Sequence, residues 1–233
     1  MLATRVQVLM AALRSAHDEL AACDLDMLTH RELLDVLDGL ETLSCQLPTE
    51  WHRALARLQA ETTPRELGAK NWKDVLRIRW RISATDANRR LAEAQVLGPR
   101  RALTGEPLAP VLPATAAAQA AGQINAEHVD KIRDAMGHLP GWVDTVSREQ
   151  IETDLVRLAV GVGPVELKKA ADKMLFLLDQ DGPAPDDTER QRRRGVTIGK
   201  QGRDAMSAVT GNLTPEARAV WEAIFAKYAA PGM

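Results

Sequence analysis

The sequence predicts a mainly α fold: a multi-helix bundle with a helix-turn-helix-like corner and a C-terminal β-hairpin followed by a helix. Three observations predict it. Apolar residues make up 45% of the 233-residue chain, mostly Ala, Leu and Val, while aromatics are only 3%, a composition that packs helices through small and medium side chains. Apolar positions recur three and four residues apart behind Thr, Ser and Asn cap signals. Extended propensity is concentrated in two short runs, GVTIGK and AMSAVTGN, on either side of QGRD. A chain of this length buries enough core to fold without metals or disulfides.

Residues 1–22 place Val6, Leu9, Met10, Leu13 and Leu20 near one helical face. A second, long helix starts at THRE, where Thr29 and Glu32 have capping-box spacing. Its stripe of Leu33, Leu34, Leu37, Leu40 and Leu43 continues through Trp51, Leu55 and Leu58 towards Glu61, with a kink or restart expected at Pro48. These two leucine-rich helices can pair within the chain or dimerise. Thr63, Pro64 and Glu66 signal a further helix start, and a short helix is expected from about Asn71 to Trp80. ISATDANRRLAEAQVLG is bounded at both ends, by Ser83 as cap and by Gly98 before Pro99.

Pro107, Pro110, Pro113 and Gly105 mark a connection and a boundary, separating a helical region at 1–101 from one at 114–233. Helices are expected at 114–121, 126–138 after Asn125, 147–160 and 164–179, followed by the polar loop DQDGPAPDDTE. The hairpin is expected at about 195–211 with Gly202 in or near its turn, and needs helices or another hairpin to dock on. Thr214 caps the last helix, with Pro215 at its first position.

Charge divides function classes further. Residues 1–50 hold 3 basic and 9 acidic side chains, whereas residues 51–101 hold 12 and 5. The cationic segment can attract a polyanion or pair with the acidic first block. No 18-residue apolar run or signal-peptide pattern opens the chain, so no membrane association is expected and the location is read as cytoplasmic. Cys23 and Cys45 read as buried free thiols in a reducing compartment. The five histidines are dispersed without HExxH or Cys neighbours, and P-loop, GxGxxG, GxSxG and CxxC patterns are all missing. No metal, cofactor or catalytic residue is therefore assigned.

The remaining constellation is WKDVLRIRWRISATDANRRLAEA. Leu76, Ile82, Ala87 and Leu91 can form a small helix-turn-helix core, leaving Thr85, Asn88, Arg89 and Arg90 to face phosphates and major-groove edges of double-stranded DNA. Arg77, Arg79 and Arg81 add charge, although Arg77 and Arg81 stand where the usual pattern has a small residue and a glycine. An ordinary αα-corner with a solvated basic face explains the same residues. Trp51, Trp72 and Trp80 are expected in the core, with base stacking as the other reading. Arg192, Arg193 and Arg194, with Lys200 and Arg203 in the hairpin, either grip phosphate or balance Asp186, Asp187 and Glu189.

Four stretches carry a family resemblance: RELLDVLDGLETL, ATDANRRLAEAQVLGPRRALTGEPLAP, INAEHVDKIRDAMGHLP, and the block from RRRGVTIGKQGRDAMSAVTGNL to the final Met233. From about residue 29 the chain resembles the actinobacterial 13E12 repeat proteins, whose N-terminal part is the domain of unknown function 222. The resemblance implies a leader region that precedes a His-Asn-His endonuclease module in longer relatives. The chain stops at Ala230–Met233 without that module, so the expectation is a non-catalytic leader with a DNA-associated role. The alternative is a dimerisation or interaction module, or a truncated product without independent function.

Overall fold

The computed structural model describes residues 2–181 and 194–228, which fall into two compact units, Met1–Leu178 and Asp179–Met233. The first begins with α1 (Leu2–Ala22), α2 (His30–Glu61), α3 (Trp72–Trp80) and α4 (Ala84–Leu97). A small antiparallel pair, β1 (Arg100–Arg101) and β2 (Pro107–Leu108), leads to α5 (Pro113–Ala120), α6 (Ala126–Gly137), α7 (Thr145–Ala159) and α8 (Pro164–Asp181).

Local chemistry starts most of these helices. Thr29 and Glu32 form the expected capping box, and the Asn71, Ser83, Asn125 and Asp144 side chains each accept a backbone N–H from the first turn of the helix they precede. Helix α5 has no such start, since Leu112 precedes it and offers no capping group. Its orphan donors are met from 37 residues away, where Glu152 Oε1 of α7 accepts the Thr115 N–H at 2.7 Å and the Thr115 hydroxyl at 2.8 Å. Burial pushes the Glu152 carboxyl above its ordinary range, with the bonds from Thr115 and Ala114 opposing that shift.

Two buried clusters share α4 as their common wall. Leu55, Val75, Leu76, Ala87 and Ala94 join α2, α3 and α4, with Ile82 and Leu91 packed beside them, as the spacing predicts. Leu97, one turn further along α4, belongs instead to the cluster of Leu112, Ile124, Val129, Ile132, Leu155 and Leu167. The Pro-rich connection at 102–113 joins the two helical regions expected at 1–101 and 114–233. Leu112 at its end is buried in the second cluster and its N–H donates to the Val96 carbonyl, so the segment is a packed crossing.

Three expectations are corrected. Pro48 does not restart α2, which runs continuously over 32 residues. Proline removes one backbone hydrogen bond, but burial of Cys45, His52 and Leu55 along one face on both sides of it holds the helix together. Thr63–Pro64 opens only a single turn, closed by the Ala69 N–H on the Pro64 carbonyl and ended by Gly68 at φ 76°. Cys45 is buried as expected, but Cys23 is exposed, because it follows the end of α1, where nothing covers it.

In the second unit, β3 (Gly195–Ile198) pairs antiparallel with β4 (Val209–Asn212), Ile198 opposite Val209 and Val196 opposite Gly211. A Cβ on Gly211 would overlap the Gly195 carbonyl, so this close approach needs glycine. Gly202 lies in the connecting loop, its N–H donating to the Met206 carbonyl at 2.7 Å. Helix α9 (Pro215–Tyr228) follows, with Thr214 Oγ1 accepting from the Ala217 N–H at 3.3 Å. The strands are exposed throughout, and no side chain of α9 is buried.

Candidate nucleic-acid interface

The α3–α4 corner is built as the sequence suggests, but its arginines differ sharply in what they touch. Helix α3 ends at Arg81, whose backbone is left-handed at φ 56° and ψ 36°, and Ser83 caps α4 by accepting the Asp86 N–H at 3.0 Å. With Leu76 and Ala87 buried between the helices, the chain turns over only three residues.

Arg89 and Arg90 are drawn into an ion-pair network. Arg89 bridges Asp86 and Glu93, with Nη1 donating to Glu93 Oε1 at 2.8 Å, and Arg90 Nε donates to Asp86 Oδ2 at 2.9 Å. Across the α2–α4 contact, buried His52 Nε2 lies 3.5 Å from the second oxygen of buried Glu93. Burial alone would raise the Glu93 carboxyl, but hydrogen bonds from His52 and Arg89 and their charges outweigh it and hold it below its ordinary range. Asp86 behaves likewise, burial being outweighed by Arg89 and Arg90. The network ties α4 internally and to α2.

Arg90 also lies over the Trp51 ring, 4.8 Å from its centroid, and Trp51 meets Trp80 edge-on at 5.0 Å. Two of the three tryptophans correct the core expectation: Trp51 is 39% and Trp80 38% exposed, meeting edge-on at the rim of the corner, while Trp72 packs against the α2–α3–α4 cluster as expected. Arg77 pairs with Asp74 at 3.2 Å. Arg79 and Arg81 are exposed and make no ion pair among the described residues, and Thr85 and Asn88 are exposed on the first turns of α4. The corner therefore brings Arg79, Arg81, Thr85 and Asn88 to solvent, while Arg77, Arg89 and Arg90 hold carboxylates.

Arg194, Lys200 and Arg203 are exposed in the hairpin unit, and Arg192 and Arg193 lie outside the described residues. The roles of His52 and Glu93 are not readable from local pattern, since they meet across 41 positions of chain. The Asp86–Arg89–Arg90–Glu93 spacing does carry a signal, because side chains three and four apart on a helix meet. Among the described residues no group of three or more His, Cys, Asp or Glu side chains is placed to hold a metal ion, and no helix is long and apolar enough to cross a membrane.

The chain is 44% identical over 223 residues to the "Uncharacterized protein MT1160" of Mycobacterium tuberculosis (strain CDC 1551 / Oshkosh), covering 96% of this chain and 53% of that protein. It is 43% identical over 225 residues to the "Uncharacterized protein Mb1179c" of Mycobacterium bovis (strain ATCC BAA-935 / AF2122/97), covering 95% of this chain and 49% of that protein. The chain spans about half the length of the curated relatives it matches. No solved structure matches it. A family model described as "Domain of unknown function (DUF222)" matches residues 34–233, and with that match and these relatives the chain belongs to the DUF222 family.

Proposed function

We propose that the chain is a cytoplasmic, non-catalytic leader region of a His-Asn-His endonuclease-like protein, and that its α3–α4 corner contacts the phosphate backbone of duplex DNA. The observation that carries this reading is Arg81. Its left-handed backbone is one that glycine or asparagine adopts at less cost, it is exposed, and no carboxylate neutralises it among the described residues. Arg79 beside it is likewise exposed and unneutralised, and Thr85 and Asn88 add hydroxyl and amide groups of the kind that reach phosphates and base edges.

Fluorescence anisotropy with a labelled duplex tests this reading. Affinity falls steeply between about 50 and about 300 mM salt, and an Arg79→Ala, Arg81→Ala double variant lowers the log–log salt slope by about 1.8, about 0.9 per phosphate released. Binding that ignores salt, or no binding at either concentration, sinks the reading. Plasmid DNA stays intact with the purified protein and magnesium or zinc; nicking by the protein would overturn the non-catalytic assignment.

We also propose that the leucine-rich helices α1 and α2 mediate self-association. The favouring observation is exposure: Leu9 is 59%, Leu37 59% and Leu40 44% exposed on helices whose apolar spacing is regular. A chain that stays monomeric in sedimentation equilibrium at all concentrations removes this second role.

A further inference from the structure

We infer that α1 and α2 join two copies of this chain into an antiparallel four-helix bundle, with the two α1–α2 connecting loops at opposite ends. The inference rests on the self-association reading and adds a register and an orientation to it.

The register comes from the spacing of apolar positions. On α1, Val6, Leu9, Leu13, Ala16 and Leu20 follow one another at alternating steps of three and four residues. On α2, Leu33, Leu37, Leu40, Ser44 and Leu47 do the same. That 3.5-residue period makes a straight seam on a coiled-coil helix, whereas one-sided packing on a globular core follows a broader 3.6-residue stripe. Helix α2 carries such a second stripe, through Cys45, His52 and Leu55, and this one is buried on the body of the unit. The heptad seam is thus additional to the face the fold consumes.

The area suits a second copy. Val6, Leu9, Leu13 and Leu20 on α1, with Leu37, Leu40 and Leu47 on α2, are each 41–61% exposed. Side chains of that size and exposure supply roughly 600 Å² per copy, the lower end of what one partner contributes to a specific, stable interface. A two-fold contact uses the same patch on both copies, so the seam is its own complement.

Charge sets the orientation. Residues 17–41, which include the connecting loop, carry eight carboxylates against the single arginine Arg31. With both loops at one end, the two acidic tips would face each other and repel. With the loops at opposite ends, each tip lies towards the Arg5 and Arg14 end of the partner's α1, and both arginines are exposed without an ion pair among the described residues. In this arrangement the two-fold axis passes close to Leu40, midway along the exposed α2 seam, and the two Cys23 thiols are a seam length apart.

Light scattering on the full chain, followed by oxidation with copper phenanthroline, tests each part. The expected mass is twice the 25.5 kDa of one chain. Leu40→Lys, a substitution at an exposed position that leaves the circular dichroism unchanged, weakens the dimer by at least about tenfold, because it places two ammonium groups at the axis. Exposed Cys23 gives no interchain disulfide in the native chain, while Leu40→Cys in a Cys23→Ser background gives a covalent dimer. A monomeric mass at every concentration overturns self-association altogether. A dimer that cross-links through Cys23 overturns only the opposite-end arrangement, and a dimer unaffected by Leu40→Lys moves the contact away from the seam.

Discussion

Replacing Arg81 by glycine should make the protein slightly more stable and a weaker DNA binder, a combination that separates a functional arginine from a structural one. A left-handed backbone costs a residue bearing a Cβ about 1–2 kcal/mol, which glycine avoids. Glycine returns roughly 0.7 kcal/mol of that through its larger unfolded-state entropy. Loss of a cation at the end of α3 returns about 0.3 kcal/mol more through the helix dipole. The balance is about 0.5 kcal/mol in favour of Arg81→Gly, or about 1–2 °C in melting temperature for a unit of this size. If Arg81 neutralises one phosphate, its loss takes about 0.9 from the salt slope, which at about 0.1 M salt is an eightfold loss of affinity relative to 1 M. Calorimetry and anisotropy on the same preparation read both quantities, with Arg81→Lys as the control that keeps both charge and strain. An Arg81→Gly protein that binds DNA with unchanged affinity and slope would refute the argument, leaving Arg81 as a helix-terminal cation and no more.

Other consequences follow from the packing. Leu76→Ala should cost about 3–4 kcal/mol in urea unfolding, since Leu76 is wholly buried at the α2–α3–α4 junction and the cavity has little room to collapse. Gly122→Ala should cost about 2 kcal/mol by the same measurement, because φ is 74° there and the new Cβ would stand 2.7 Å from Thr42 Cγ2 on α2. The Glu93 carboxyl is held below its ordinary value of 4.5 in the folded protein. Its contribution is therefore complete above that pH and disappears as pH falls through the folded value. Urea midpoints taken between about pH 6 and about pH 3 should show this acid limb, and Glu93→Gln should flatten it; an unchanged limb would assign acid sensitivity to other carboxylates.

How much of the fold was legible depends on the reach of the interaction concerned. Helix starts at Thr29, Asn71, Ser83 and Asn125 could be read because a cap satisfies donors two or three residues ahead. The small core of Leu76, Ile82, Ala87 and Leu91 was legible for a similar reason, since two short helices joined by a tight turn have few ways to meet. The start of α5 carried no such signal, because its capping group, Glu152, arrives from α7. Pro107, Pro110 and Pro113 mark an irregular connection, and only the packing shows that Leu112, just before the last of them, belongs to a core assembled from α4 to α8. Local punctuation shows where regular structure stops, not whether the irregular segment is packed.

The candidate site divides along the same line. From the sequence alone came the corner, its basic composition, and the residues at three- and four-residue spacing that can pair along one helix. Only the tertiary structure decided that His52 of α2 closes the network on Glu93, and that Trp51 and Trp80 meet edge-on at the rim of the corner. It also left Arg79 and Arg81 exposed and without carboxylate partners among the described residues. The physical reason is that a helix fixes the geometry of its own neighbours within a turn, so caps and i to i+4 pairs follow from order along the chain. Which helix faces meet is set by the summed burial of many side chains far apart in sequence, and that sum determines which charges are neutralised and which stay available to a partner.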